Sequence, residues 1–350
     1  MIAAPTWSSV LLALLDGTDL TVSEASWAME QVMRGEVTPA QLAAFLVALS
    51  AKGETVDEIV GFRDAALDHA VPLPVSPWGV DIVGTGGDRF GTVNVSTMAA
   101  LVVAGSGVPV IKHGNRAASS LSGSSDVLGA LGIPAQLPAE RVAAVLEDIG
   151  ITFVNASAFH PGFRHAAAVR AELGVPTVFN FLGPLCNPAR PEASAIGVAK
   201  LSVVPLMVGV FQTRGATALV FRGDDGLDEL TTTGHSHIWE VNRGSVTEHD
   251  LDPRDLGIPL VDISALIGGT PDENAAVVRR VLDGEKGPVR DIVLLNAAAG
   301  IIAYELSLDA TLAQEPMRDR FVAAMATAAG SIDSGAAQAK LDSWVRSVQS

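Results

Sequence analysis

Val80-Asp81-Ile82-Val83-Gly84-Thr85-Gly86-Gly87-Asp88-Arg89-Phe90-Gly91-Thr92-Val93-Asn94-Val95-Ser96-Thr97 reads as a strand, a glycine loop and the start of a helix. The apolar run Val80–Val83 enters the loop, and an apolar run of helical length, Met98 to Ala104, leaves it. Gly84, Gly86 and Gly87 free the backbone of Cβ atoms, so its N–H groups can close on an anion. Asn94 and Ser96 stand where they can cap the helix, whose N-terminus carries partial positive charge. Thr92, Ser96 and Thr97 add hydroxyls suited to phosphate or to a hydrated cation. A dinucleotide fingerprint starting at Gly84 would need glycine where Arg89 stands, and no Gly-Lys-Ser/Thr triplet marks a P-loop. Asp88 suits a ligand that offers hydroxyls as well as phosphates. The alternative is an ordinary glycine-rich strand-to-helix turn.

Outward from this loop, the chain divides by texture. Residues 1 to 70 read as helices, with capping-box spacings at Thr21–Glu24, Thr38–Gln41 and Thr55–Glu58. Leu42, Phe45, Leu46 and Leu49 fall on one helical face, as a core or a self-association surface would require. Val71 to Pro77 carries three prolines and reads as a linker. From Trp78 short apolar strands at 80–83, 108–111, 151–154, 195–198 and 218–221 alternate with helical patterns near 97–105, 123–131, 138–149, 161–173 and 203–214. Such alternation predicts a mostly parallel sheet with helices packed on it. Residues 230–241 and 245–248 read as further, antiparallel strands, and 272–283, 288–305 and 309–329 as closing helices.

Composition narrows the possible partners. The chain has 350 residues, 48% hydrophobic and 18% charged, which marks an ordered globular protein. Its 23 Lys and Arg against 39 Asp and Glu give a net charge of −16, which repels nucleic acid and anionic membrane. An anionic ligand must therefore be held by a local positive pocket. Cys186 is the single cysteine, which points to a reducing compartment and a cytoplasmic location. No basic leader precedes an apolar segment at the N-terminus, and no apolar run is expected to reach membrane-spanning length.

Three further patches carry chemistry. Lys112-His113-Gly114-Asn115-Arg116-Ala117-Ala118-Ser119-Ser120 follows the second strand, where open α/β sheets place ligands, and Ser124 extends it. Lys112 and Arg116 would supply the positive charge that a polyphosphate needs, unless the segment is only a solvated loop. Asp224-Asp225-Gly226-Leu227-Asp228-Glu229-Leu230 lies past the fifth strand. There Asp228 and Glu229 can converge on a hydrated Mg²⁺ ion, or else form a solvated acidic turn. On the helix after His160, Phe163, Ala166, Ala167 and Arg170 share a face, so Arg170 could bind a carboxylate in a pocket or simply lie on the surface. His235-Ser236-His237 lacks neighbouring ligands and reads as structural.

With these patches assembled, the chain resembles the anthranilate phosphoribosyltransferases of tryptophan biosynthesis. The resemblance rests on Gly84-Thr85-Gly86-Gly87-Asp88, Asn94-Val95-Ser96-Thr97, Lys112-His113-Gly114-Asn115-Arg116, Gly174 to Leu185 and Asp225 to Leu230, in that order. It implies a type III phosphoribosyltransferase fold, nucleoside phosphorylase-like: a small helical domain (1–72, with helix from about 161–190 packed on it) and a larger α/β domain (78–350). It also implies a homodimer, and Mg²⁺-dependent transfer of phosphoribose from 5-phosphoribosyl 1-pyrophosphate to the amine of anthranilate. Carried over by motif, Gly84, Gly87, Asp88, Thr92, Asn94, Val95, Ser96 and Thr97 would hold the donor. Lys112, His113, Gly114, Asn115, Arg116, Ala117, Ala118, Ser119, Ser120 and Ser124 would form its second loop. Ser96, Asp228 and Glu229 would bind Mg²⁺, and Gly84, Asn115 and Arg170 would receive anthranilate. No acid or base is assigned. Asn155-Ala156-Ser157 stands where the family usually has Phe-Ala-Pro, and Cys186 where Thr or Ser is common. The alternatives are a pyrimidine nucleoside phosphorylase, whose His-Ser-Thr-Gly-Gly signature is missing, and a non-catalytic nucleic-acid-binding relative, which the charge disfavours.

Overall fold

The computed structural model describes residues 4–116 and 121–349; Ala117, Ala118, Ser119 and Ser120 lie outside them. Four helices come first: α1 (Trp7–Leu15), α2 (Val22–Arg34), α3 (Pro39–Lys52) and α4 (Val56–Asp68). All three expected capping boxes form, and Thr6 with Ser9 adds one at α1. Leu42, Phe45, Leu46 and Leu49 are all buried.

The α/β part then runs β1 (Val80–Gly84), α5 (Val95–Gly105), β2 (Val110–Gly114), α6 (Ser124–Ala130), α7 (Ala139–Ile149) and β3 (Ile151–Asn155). Next come α8 (Ala156–Phe159), α9 (Arg164–Leu173), α10 (Phe179–Leu182), β4 (Ala193–Gly197), α11 (Val204–Arg214) and β5 (Thr217–Gly223). Strands β6 (Ser236–Asn242) and β7 (Ser245–Leu251) precede α12 (Pro271–Leu282), α13 (Pro288–Leu308), α14 (Met317–Asp333) and α15 (Ala336–Gln349). The sheet order is β3-β2-β1-β4-β5-β6-β7, parallel up to β5 and antiparallel beyond. Successive strand residues point to opposite faces. Accordingly Ala195, Leu219 and Phe221 join a core with α5 and α13, whereas Ile196, Ala218 and Val220 join the core of the helical bundle. Both faces of the parallel strands are thereby covered.

Several expectations need correction. Residues 230–235 are not strand. Asn296 takes both backbone groups of Leu230, donating to its carbonyl and accepting from its N–H at 2.9 Å, while Thr231 and Thr233 turn their hydroxyls onto Asp225. The helix expected over 309–329 is a 3₁₀ turn at Ala310–Gln314, then α14 after Pro316, whose fixed φ starts a new helix. α15 is an additional helix that the sequence reading lacks. α13, at 21 residues, is long and apolar enough to cross a membrane by composition, contrary to the expectation from sequence. Its most apolar window is 72% buried, and α13 serves as the central core helix.

One buried ion pair ties β6 to α14. Arg320 Nη2 donates to Glu240 Oε2 at 2.6 Å, and both residues are nearly inaccessible. Burial pushes the Glu240 carboxyl up, but the neighbouring His249 and Arg320 outweigh it and hold the pKa below its ordinary value. A lowered folded pKa contributes stability above the unfolded pKa, and that stability is lost as pH falls through the folded value. Arg320→Ala should cost up to about 3–5 kcal/mol at pH 7, because it leaves the buried Glu240 carboxylate with only His249 beside it. The gap to the parent should narrow in acid, as Glu240 protonates. Denaturant melts at pH 7 and pH 4 that show the same gap would contradict this.

Candidate active site

At the carboxyl ends of β1 and β4 the chain leaves the sheet in opposite directions, the crevice where open α/β sheets bind ligands. A cleft of about 1190 Å³ opens there, walled by the sheet loops on one side and by Ser50, Gly53 and Glu54 of the helical bundle on another. Gly84 and Gly197 end the two strands side by side. A Cβ on Gly197 would lie 1.6 Å from Asp228 O, and one on Gly84 would lie 2.1 Å from Asp228 Oδ2. Glycine at both positions is what lets the acidic loop after β5 descend onto the strand ends.

Asp228 and Glu229 meet Asp88 there. Asp228 accepts the Gly86 N–H at 2.7 Å, yet burial and the Asp88 charge push its pKa up to about 7. Glu229 is held well above its ordinary value by burial and by Asp228; Lys112 and the Ser96 N–H oppose this only in part. Lys112 is itself 1% exposed and donates to Ile82 O at 2.5 Å and to Ser96 Oγ at 3.3 Å. Burial lowers its pKa, while Asp81, Glu229 and Asp228 pull it back up. Lys112 therefore faces the carboxylates, and the free positive charge expected of it at a polyphosphate is largely spent on them.

Three carboxylates crowd one ammonium, so the charged forms of Asp228 and Glu229 are disfavoured, and a cation would relieve that crowding. The oxygens of Asp228, Glu229 and Ser96 are hard donors of the kind Mg²⁺ takes. Among the described residues no cluster of three or more His, Cys, Asp or Glu could hold a metal alone. That donor set fits an ion that completes its shell with water and a ligand's phosphates. The residues present thus suit Mg²⁺.

The glycine loop turns on positive φ at Gly86 (69°), Gly87 (87°) and Gly91 (69°), and Arg89 shares that conformation at 65°. Asp88 Oδ1 accepts the Phe90 N–H at 3.3 Å. Asn94 occupies the N-cap position of α5 but makes no capping bond; its amide is engaged by Ser122 and Asn274 instead. Thr92, Val95 and Ser96 line the cleft, as do His113, Gly114, Asn115, Arg116 and Ser124. Thr97 does not. One residue past Ser96 it rotates about 100° around α5 and is buried in the core, its hydroxyl unpartnered. Arg116 is exposed at the mouth, 4.0 Å from Asp126.

The opposite wall is aromatic. His113 Nδ1 pairs with Gly183 O at 3.1 Å, its Nε2 is buried without a partner, and burial pushes its pKa down to about 3. The His160 ring packs against His113 at 5.7 Å and stacks on Phe163 at 5.0 Å. Phe163 meets Phe179 edge-on at 5.6 Å, and the Arg170 guanidinium lies 5.2 Å over Phe179. Burial lowers the Arg170 pKa from its high ordinary value. Asn115 Oδ1 is fixed by Ser157 Oγ at 2.9 Å and by the Arg116 N–H at 2.8 Å. Flat rings beside a half-buried arginine suit an aromatic acid.

His160, Phe163 and Phe179 carry no assigned role in the sequence reading. The glycine-proline-rich run that follows α9 hides Phe179, although its neighbours stand out. Asp81 is missed too. β1 and β2 pair in register only at Val80 and Val110. Beyond that point Asp81 bridges the gap, accepting from the His113 N–H and Asn187 Nδ2, each at 2.9 Å. His235 and His237 face surface carboxylates, His237 Nε2 lying 3.0 Å from Asp224.

Comparison with known proteins agrees along the whole chain. Residues 77–338 match the glycosyl transferase family a/b domain, and residues 8–70 match the helical bundle domain of the same family. The anthranilate phosphoribosyltransferase of Leifsonia xyli subsp. xyli is 73% identical over 339 residues, covering 97% of each chain. The solved structure of anthranilate phosphoribosyltransferase from Thermus thermophilus superposes with a TM-score of 0.89 at 42% identity, over 97% of this chain and 99% of that one. The Saccharomyces cerevisiae enzyme, solved in complex with PRPP and Mg, superposes with a TM-score of 0.88 at 28% identity, over 99% of both chains.

Proposed function

The chain belongs to the anthranilate phosphoribosyltransferase family, and from that premise we propose how its cleft divides the work. The enzyme transfers phosphoribose from 5-phosphoribosyl 1-pyrophosphate to the amine of anthranilate. It releases pyrophosphate and gives N-(5-phosphoribosyl)anthranilate, the second step of the tryptophan branch from chorismate. The observation that carries this reading is one cleft with a half-buried carboxylate pair under a glycine loop on one side and an arginine-capped aromatic wall on the other.

The glycine loop from Gly84 to Thr92, with Asn94, Val95 and Ser96, holds the sugar-phosphate donor. The segment from Lys112 to Arg116, with Ser124, forms its second side; Thr97 acts only through the core. Ser96, Asp228 and Glu229 hold Mg²⁺, which stabilises charge on the departing pyrophosphate when bound. Gly84 lines the cleft where the acceptor enters, its missing Cβ making way for Asp228, and Asn115 presents its amide with Oδ1 already engaged. Arg170 binds the acceptor carboxylate and so fixes the direction of the amine. An aromatic amine is already unprotonated at neutral pH, and His113, with its pKa near 3, stays neutral. Positioning suffices, and no general base is assigned.

Pyrophosphate release that requires both substrates and Mg²⁺ tests the reaction; release without anthranilate would contradict it. The acceptor assignment has its own test. Arg170→Ala should raise the anthranilate KM by about 10- to 100-fold, the loss of a charged hydrogen-bonded pair, with the donor KM nearly unchanged. An unaltered anthranilate KM would remove Arg170 from the site.

We also infer a homodimer through the helical part. Leu12 and Leu15 of α1 and Val47 of α3 are 58%, 74% and 48% exposed, an apolar surface available for pairing. Sedimentation should give twice the chain mass, and Leu15→Glu should lower it. A monomeric parent protein at micromolar concentration would count against the pairing. A cytoplasmic location fits the single, buried cysteine, whose thiol burial pushes up to about 12; recovery in a secreted or membrane fraction would contradict it.

A further inference from the structure

Behind the donor wall, residues 266–274 run as a strap along the loop that precedes α5. The Gly268 N–H donates to Gly91 O at 2.8 Å, the Val93 N–H donates to Leu266 O at 2.9 Å, and Thr92 bridges antiparallel to Ile267. Asn274, in the first turn of α12 and 2% exposed, closes this strap. Its Oδ1 accepts the Gly269 N–H at 2.8 Å, and its Nδ2 donates to Asn94 Oδ1 at 2.8 Å. Asn94 in turn donates from Nδ2 to Ser122 O at 2.9 Å, and its Oδ1 also accepts Ser122 Oγ at 3.3 Å. Both ends of the Asn94 amide are thus specified, and neither can flip without setting oxygen against oxygen.

The fit leaves no slack. A Cβ on Gly268 would lie 2.8 Å from Asn274 Oδ1 and 3.0 Å from Thr92 O. Asn274 itself lies outside the cleft lining, 180 residues along the chain from Asn94. We propose that Asn274 is a positioning residue for the sugar-phosphate donor. It locks Asn94, and through Asn94 it holds the glycine loop against the second loop at Ser122 before any ligand arrives. A preorganised site avoids the ordering cost of binding, so the benefit falls on donor affinity. This rests on the reading of those two loops as the donor site.

Asn274→Asp separates the two bonds. At pH 8 the carboxylate still accepts from Gly269 and so keeps the strap, but it faces Asn94 Oδ1 with no proton to give. The donor KM should rise by about tenfold or more, the loss of one buried hydrogen bond, with the anthranilate KM within about twofold and a cooperative melt retained. In an Asn94→Ala background the same substitution should change the donor KM by less than about twofold, because the residue acts through Asn94. Should Asn274→Asp not melt cooperatively, the same KM values and the same cycle are read on Asn274→Ser. An unchanged donor KM, an equal rise in both KM values, or losses that multiply in the double variant would overturn the proposal. A parent protein without turnover would instead contradict the reaction itself.

Discussion

Replacing Asp228 by Asn together with Glu229 by Gln is expected to cut Mg²⁺-dependent turnover by at least about 10³-fold while the protein stays folded. Metal-borne stabilisation of a leaving group is worth several kcal/mol, and each 1.4 kcal/mol is about tenfold in rate. Both carboxylates are partly buried at the cleft floor, and Asp88 adds a third beside them. Neutral amides remove that mutual repulsion, so the double variant should melt no lower than the parent in EDTA. A loss of activity without loss of stability separates a metal-binding role from a structural one. Turnover within tenfold of the parent, or an activity that EDTA no longer affects, would contradict the assignment.

The second large effect is expected at a residue with no side chain. In Gly197→Ala the new Cβ would lie 1.6 Å from Asp228 O and 2.3 Å from Asp228 C. Both are backbone atoms, so no rotamer can relieve the contact; the end of β4 or the acidic loop must move by about an ångström or more. Displacement on that scale costs about 100-fold in rate, with a higher Mg²⁺ concentration needed for half-maximal activity. Gly53→Ala serves as the comparison. Its Cβ would meet nothing within 4 Å, and its φ of 89° confines the cost to local strain. Steady-state rates across a Mg²⁺ titration give the answer, and a Gly197→Ala enzyme with the parent's Mg²⁺ dependence would contradict it.

What the sequence made legible was local. The boxes at Thr21, Thr38 and Thr55 link residues three apart, and each forms as read. The run from Val80 through the glycine loop into α5 is contiguous, so strand, loop and helix are readable from spacing alone. Asp228 and Glu229 are legible as a pair because they are adjacent, but their closeness to Gly84 and Gly197 is tertiary. The misses share that cause. Asn94 has the position and chemistry to cap its own helix, yet its amide is taken by a partner 180 positions away. Asp81 reads as an interruption in an apolar strand, whereas Asn187, 106 positions on, and the His113 N–H make it the bridge between β1 and β2. Residues 230–235 have strand-like composition, but the buried Asn296 takes both backbone groups of Leu230 and Ser236 Oγ accepts the Thr231 N–H, where a strand partner would otherwise pair. Thr97 counts among the hydroxyls by proximity in sequence, and one step around α5 places it in the core.

The most direct test follows anthranilate fluorescence in purified protein with 5-phosphoribosyl 1-pyrophosphate and Mg²⁺, against mixtures lacking each component and a mixture containing EDTA. The signal should fall only when donor and metal are both present, and it should stay flat with EDTA or with the Asp228→Asn, Glu229→Gln double variant. A signal that stays flat in the complete mixture, or one that falls equally in EDTA, would contradict a Mg²⁺-dependent phosphoribosyl transfer in this cleft.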